Sequence, residues 1–276
     1  MRRLAAWSIA ACIVLAACGN ASGEETGLSV AQIADKNAEA RGGLEAWRKV
    51  QTMVLSGHVE SATAPASFML ALKRPGKTRF EIVAAKQMSL RVFDGRRGWK
   101  LHAAGGGGQP SLQPYSQEEL QFAHDEPVID GPLIDYQARG VTVALAGMGE
   151  LDGRSCYRLD LHLPSGAHRQ LWLDAQTFLD VRYDREARNA LGQVVMVSVR
   201  YRDYQPIEGL QIARTIEAGA AMGAQLDRLV IDKVVLNPPL ADWMFVKPGT
   251  RRTNAAVPVL PERRMANGTD APGLWP

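Results

Sequence analysis

The sequence predicts a mainly β fold of the α+β class, with about eleven strands in antiparallel pairing. Three observations lead there. Runs of alternating apolar and polar residues fill most of the chain between Gln51 and Asn237. Their connections are short and rich in Gly, Asp and Pro, too brief for the crossover helices that parallel strands need. Helical patterning is confined to the stretch before Gln51 and to one or two short segments between 116 and 140.

From Leu28, "LSVAQIADKNAEARGGLEAWRKV" predicts a helix in which Val30, Ile33, Ala34 and Ala38 recur at helical spacing. Gly42-Gly43 breaks it, and a short turn carrying Leu44, Trp47 and Val50 follows. The strand pair "TMVLSGHVESA" and "ASFMLALKRPG" comes next, then "KTRFEIVAA", "KQMSLRVFDG" and "RRGWKLHAA". Within these, "RVFDGRRGWK" reads as a hairpin corner: Asp94-Gly95 makes the turn and leaves Arg96 and Arg97 in solvent. Gly105–Gly108 and "QPSLQP" read as a flexible connection. Ser116 with Glu119 three residues later is a capping box at the head of "SQEELQFAHDEPV", and "GPLIDYQARG" reads as a further short helix or turn. The second half is a meander: "VTVALAGMGELDG", "RSCYRLDLHLPSG", "AHRQLWLDAQT", "FLDVRYDREA", "LGQVVMVSVRYRDYQPIEGL", "QIARTIEAG" and "AQLDRLVIDKVVLN". Asp152-Gly153 and Ser165-Gly166 suit tight turns. Residues 28–247 are expected to form one β domain, and 248–276, rich in Pro, Gly, Asn and Arg, a disordered tail.

The first seventeen residues have the layout of a secretory signal: Arg2 and Arg3, an apolar run, then small residues before Cys18. Leu15-Ala16-Ala17-Cys18 resembles the bacterial lipobox. That resemblance implies cleavage before Cys18, diacylglyceryl on its sulfur and acylation of its new amino group; two or more chains would anchor stably. The alternative is an ordinary cleavage site with a chance cysteine. Gly19, in place of the aspartate associated with inner-membrane retention, points by the same resemblance to the periplasmic face of the outer membrane, with 18–27 as a polar tether. Removing two Arg and no acid lowers the formal charge from +3 to about +1. The basic balance therefore gives no support to a nucleic-acid partner. Cys12 leaves with the signal and Cys18 would be acylated, so Cys156 remains without an intramolecular disulfide partner.

No residue pattern calls for catalysis, a metal or a cofactor. His58, His102, His124, His162 and His168 form no HExxH, and His162 and His168 merely flank a predicted turn. There is no GxSxG elbow around Ser198, and Cys156 beside Arg154 and Tyr157 reads as a core or rim residue. Gly105–Gly108 lacks the Lys-Ser/Thr ending of a phosphate loop. Asp94, Asp152 and Asp174 sit where turns need them, which accounts for them without paired-carboxylate chemistry. The chain is expected not to be an enzyme.

Residues 69–246 resemble the outer-membrane lipoprotein-sorting protein-like group of the LolA/LolB superfamily. The similarity lies in "LKRPGKTRFE", "RVFDGRRGW", "LWLDAQTFLDVRYD", "YRDYQPIEGLQIARTI" and "VVLNPPLADWMF", and in the long stretch from Gly131 to Gly166. The resemblance implies an incomplete antiparallel β-barrel wrapped over lid helices around a hydrophobic cavity that binds lipid or lipoprotein acyl chains. It implies a place in lipoprotein sorting or transfer, with the membrane reached through the N-terminal lipid anchor. A non-catalytic envelope sensor or partner-binding module on the same scaffold is the alternative. Alternation gives an expected inward, ligand-facing set of Met69, Phe80, Val92, Trp99, Tyr157, Leu159, Leu171, Leu173 and Val197. Arg79, Arg91 and Arg200 could meet headgroups at a rim or be ordinary solvated sheet surface.

Overall fold

The computed structural model describes residues 27–60, 66–84, 87–102, 111–126, 129–188, 193–220 and 227–249. The expected signal, Cys18, the Gly105–Gly108 run and the chain beyond 249 lie outside the described residues.

Helix α1 (Val30–Ala40) starts at a reciprocal cap. Gln32 N–H donates to the Ser29 hydroxyl, and the Ser29 N–H donates to the Gln32 side chain. Gly42 (φ 109°) and Gly43 (φ 95°) then turn the chain through conformations open to glycine, and α2 (Leu44–Lys49) follows.

Thirteen strands form one antiparallel sheet among the described residues. The first six are β1 (Thr52–Glu60), β2 (Ala66–Lys73), β3 (Lys77–Ala84), β4 (Gln87–Phe93), β5 (Gly98–His102) and β6 (Ser111–Pro114). After α3 (Gln117–Asp125) come β7 (Thr142–Leu151), β8 (Arg154–His162), β9 (His168–Asp174), β10 (Asp180–Arg188), β11 (Val194–Ile207), β12 (Leu210–Ala220) and β13 (Asp227–Leu236). The expectation of about eleven strands undercounts, partly because "QPSLQP", read as a connection, supplies the edge strand β6. Gly131–Gly140 is turn, and both Asp152-Gly153 and Asp94-Gly95 make hairpin corners as read, with Arg96 and Arg97 exposed.

Every neighbouring pair is sequential except one: β1 pairs with β13, so the first and last strands meet in the middle. The edges are β6 and β7, and they do not pair with each other, so the barrel is incomplete. The segment between them, α3 with residues 129–141, crosses the gap. Glu119 of α3 reaches Arg91 and Lys100 on β4 and β5, while Asp125 at its other end receives the hydroxyl of Ser165, in the β8–β9 turn. On a flat sheet β5 and β9 would lie nine spacings apart in the strand order, roughly 43 Å at about 4.8 Å each. A nine-residue helix is only about 14 Å long. The sheet therefore curls strongly, with α3 spanning its open side.

The curl gives the sheet two unlike faces. On the concave face, Met53, Leu55, Val59, Phe68 and Leu72 pack with Leu210, Ile212, Leu229 and Ile231 beneath Trp47, Ile129 and Ile134. Beside them Leu159, Leu161, Leu171, Leu173, Tyr183 and Val199 pack beneath Ile33, Ala34 and Leu133. On the convex face, Ala71, Leu90 and Val92 are covered by Leu240, Met244 and Phe245 of the C-terminal strap. Lys73 fastens that strap by donating to Leu240 O (2.6 Å) and Asp242 (2.8 Å), and Arg79 donates to Met244 O (2.9 Å).

The β1–β13 seam carries a register shift between Ser56 and Gly57. A Cβ on Gly57 would stand 1.9 Å from Val230 O, which is backbone and cannot move aside alone. Gly57→Ala is expected to lower stability by about 1–3 kcal/mol through overpacking, read as an earlier urea midpoint at unchanged slope.

Candidate ligand-binding face

The concave face is built in rows running across the strands. Leu159, Leu171, Tyr183, Val199 and Ala218 are successive register partners from β8 to β12. One step along, towards the β8–β9 turn, the row reads Leu161, Arg169, Arg185 and Val197. One step the other way, Tyr157 pairs with Leu173, and Tyr201 with Ile216. The wall is thus aliphatic and aromatic, interrupted by two arginines.

Of the expected inward set, Phe80, Tyr157, Leu159, Leu171, Leu173 and Val197 face this concave side. Met69, Val92 and Trp99 face the convex side: Met69 opposes Ser56 and Glu81, while Val92 opposes Trp99 and packs with the strap. Val92 and Trp99 share a face, as the hairpin required, but the face is the other one. The cause is that β1–β5 are covered on both sides, so apolar residues occupy both phases of the alternation. Arg91 lies on the concave side under α3, whereas Arg79 and Arg200 lie on the convex one.

Two polar assemblies tie the covering elements to the sheet. The first holds α1. Asn37, fully buried, donates to Phe178 O (2.7 Å) and to Asp180 (3.0 Å), and Arg41 lies 3.8 Å from Asp180. Arg41 also stacks over Trp47 at 4.5 Å, and the Trp47 indole donates to Arg41 O (3.0 Å). Burial raises the Asp180 carboxyl above the usual range despite Arg41 and Asn37.

The second holds α3. Glu119, the capping-box carboxylate expected from sequence, accepts from Ser116 N–H (2.8 Å), Arg91 (2.6 Å) and Lys100 (2.9 Å). Burial pushes its carboxyl up, but the Ser116 N–H, Lys100 and Arg91 outweigh this and hold it below the ordinary range. Its stabilising contribution is therefore full above the ordinary glutamate range and is lost as pH falls through the lowered value. At the far end, Tyr183 donates to Glu126 (3.3 Å), which burial pushes above its usual range. Phe122 stacks under Arg185 at 4.2 Å, and Phe93 meets His124 edge-on at 5.0 Å. Glu119→Gln is expected to loosen α3 by about 1–3 kcal/mol, because two cations and the Ser116 N–H lose their anion. Amide exchange should quicken across 117–125 and stay unchanged in β8 and β9.

The groups weighed for chemistry are apart. Cys156 is buried, and burial raises its thiol; His162 is six residues along the same strand. The His162 and His168 rings do converge across the β8–β9 turn, 4.9 Å apart and exposed. Among the described residues no group of three or more His, Cys, Asp or Glu could hold a metal ion. Sequence reading passed over Arg169, Arg185, Glu126 and Lys100. A signal for the first was present: in "HRQLWLD", Arg169 occupies the phase of Leu171 and Leu173.

Among solved structures, a LolA superfamily protein from Nitrosomonas europaea superposes with a TM-score of 0.52 at 17% identity, covering 80% of this chain and 99% of its own. The fold is LolA-like. A DUF1329 family protein from Desulfovibrio piger superposes nearly as well, with a TM-score of 0.51 at 13% identity over 79% of this chain and 97% of its own. A domain assigned to outer membrane lipoprotein sorting from Vibrio parahaemolyticus gives 0.44 at 10% identity over 77% and 94%. No protein-family model and no curated protein matches the sequence. The LolA-like sheet is open between β6 and β7 and largely apolar on its covered concave side.

Proposed function

We propose that the protein is a lipid-anchored envelope protein whose concave face holds a hydrophobic ligand, lipid or lipoprotein acyl chains, in lipoprotein sorting or transfer. The observation that carries this is the largely apolar wall of β8–β12, covered by separate elements, α1 and the segment that carries Leu133, rather than by a second sheet. Phe80, Tyr157, Leu159, Leu171, Leu173 and Val197 are the ligand-facing residues in this reading. When the covering elements move, the ligand takes the place of their apolar side chains on the wall and each buried CH₂ contributes about 0.8 kcal/mol. The lipobox at Cys18 supports anchoring at the periplasmic face of the outer membrane, and residues 28–247 act as one domain on the tether 18–27.

The test is uptake of a fluorescent long-chain fatty acid by the delipidated domain, beside native mass spectrometry of the protein as purified. Saturable uptake and a co-purifying amphiphile are expected. A protein that purifies without an amphiphile and takes up no probe overturns the reading.

A further inference from the structure

Arg169 and Arg185 are direct register partners on β9 and β10, on the concave face, and only 5% and 3% exposed. Two guanidinium groups opposed across strands repel, and burial magnifies that repulsion unless an anion lies beside them. The lid provides the acids. Asp125 and Glu126, at the C-terminal end of α3, approach Arg169 at 3.8 and 3.7 Å. Both distances are ion-pair rather than hydrogen-bond lengths, and the Arg169 Nε makes no hydrogen bond among the described residues. Asp125 is engaged instead with the Ser165 hydroxyl at 2.8 Å. Lifting α3 would withdraw both acids together and uncover the Arg169–Arg185 pair at the edge of the apolar wall formed by Leu159, Leu171 and Tyr183.

We propose that the ligand of the concave face is a single-chain amphiphile with a carboxylate head, a long-chain fatty acid, whose head lies between Arg169 and Arg185 and whose chain runs over the Leu159–Leu171–Tyr183 row. The inference rests on the acyl-chain reading above and adds the head group to it. The ligand carboxylate takes the place of Glu126, so a negative charge stays beside the arginine pair when the lid moves. Two guanidinium forks facing one carboxylate supply charge-assisted hydrogen bonds that a neutral head cannot accept equally well. Burial holds the Glu126 carboxyl towards its neutral form, which makes it the weaker competitor.

The test compares palmitate with 1-hexadecanol and methyl palmitate, each displacing a fluorescent chain from the delipidated domain. Palmitate is expected to bind at least about tenfold more tightly than either neutral chain. Arg169→Gln should abolish that preference, bringing palmitate to the affinity that the same variant shows for hexadecanol, and Arg169→Lys should retain part of it. Equal affinity of the three chains for the unaltered protein, or a preference that survives Arg169→Gln, overturns the head-group assignment and leaves the acyl-chain reading standing. Binding of none of the three overturns both. The comparison on the unaltered protein decides the matter even where the glutamine variant fails to fold.

Discussion

Leu171→Ala is expected to lower the stability of the domain by about 2–5 kcal/mol, among the largest effects of any single truncation here. Leu171 is fully buried at the centre of the β8–β12 wall, between its register partners Leu159 and Tyr183. Both partners are held in hydrogen-bonded strands, so they cannot close over the missing atoms. The loss is therefore the transfer term plus a cavity term. Val194→Ala, on a side chain 57% exposed, should change stability by no more than about 0.5 kcal/mol. Urea titration of both variants measures the contrast. A further consequence follows for binding: the cavity lies in the proposed ligand path, so a long chain should recover part of the lost midpoint in Leu171→Ala.

The second large effect is expected at the base of α1. Arg41→Met should cost about 3 kcal/mol, because it leaves Asp180 buried with its countercharge gone. Methionine can keep much of the packing over Trp47, so the loss reports chiefly on charge and on the Arg41 hydrogen bond to Asp130 O. The pH dependence gives the sign. The Asp180 carboxyl already lies above its usual range in the folded protein, so the native state binds more protons there than the unfolded chain. Stability from this group consequently falls as pH rises from the ordinary aspartate range through the raised value. Without Arg41 the value rises further, and the deficit of Arg41→Met should shrink on acidification as Asp180 becomes neutral. Thermal melts of both proteins across the acidic to neutral range test this, and a deficit that widens on acidification contradicts the pairing.

The strand runs, the hairpin at Asp94-Gly95 and the cap at Ser116–Glu119 were legible because each depends on neighbours in the chain. The β1–β13 seam was not, since nothing local in "TMVLSGHVESA" names a partner as far along the chain as Ile231 is from Gly57; only Gly57, set against Val230 O, marks the place. The phase of the first five strands was hidden for another reason. In "FMLAL", Phe68 and Leu70 pack under the helices while Met69 and Ala71 lie on the opposite face, so apolarity does not tell the faces apart. In β8 and β9 the convex phase is polar, with Arg158, Asp160, Gln170 and Trp172, and there Leu159, Leu171 and Leu173 were placed on the covered face. The arginine pair escaped notice because Arg169 and Arg185 come together only through register, and their acids arrive from a helix more than forty residues earlier.

The central claim is that the concave face, and not the strap-covered or polar convex side, receives the acyl chain. Photo-crosslinking with a palmitate carrying a mid-chain diazirine tests it most directly, with labelled peptides located by mass spectrometry. Labelling is expected on β8–β11 around Leu159, Leu171, Tyr183 and Val199 and on α1 around Ile33, and excess unlabelled palmitate should suppress it. Labelling confined to convex residues such as Trp172 or Met69, or labelling that palmitate does not compete away, would contradict the account.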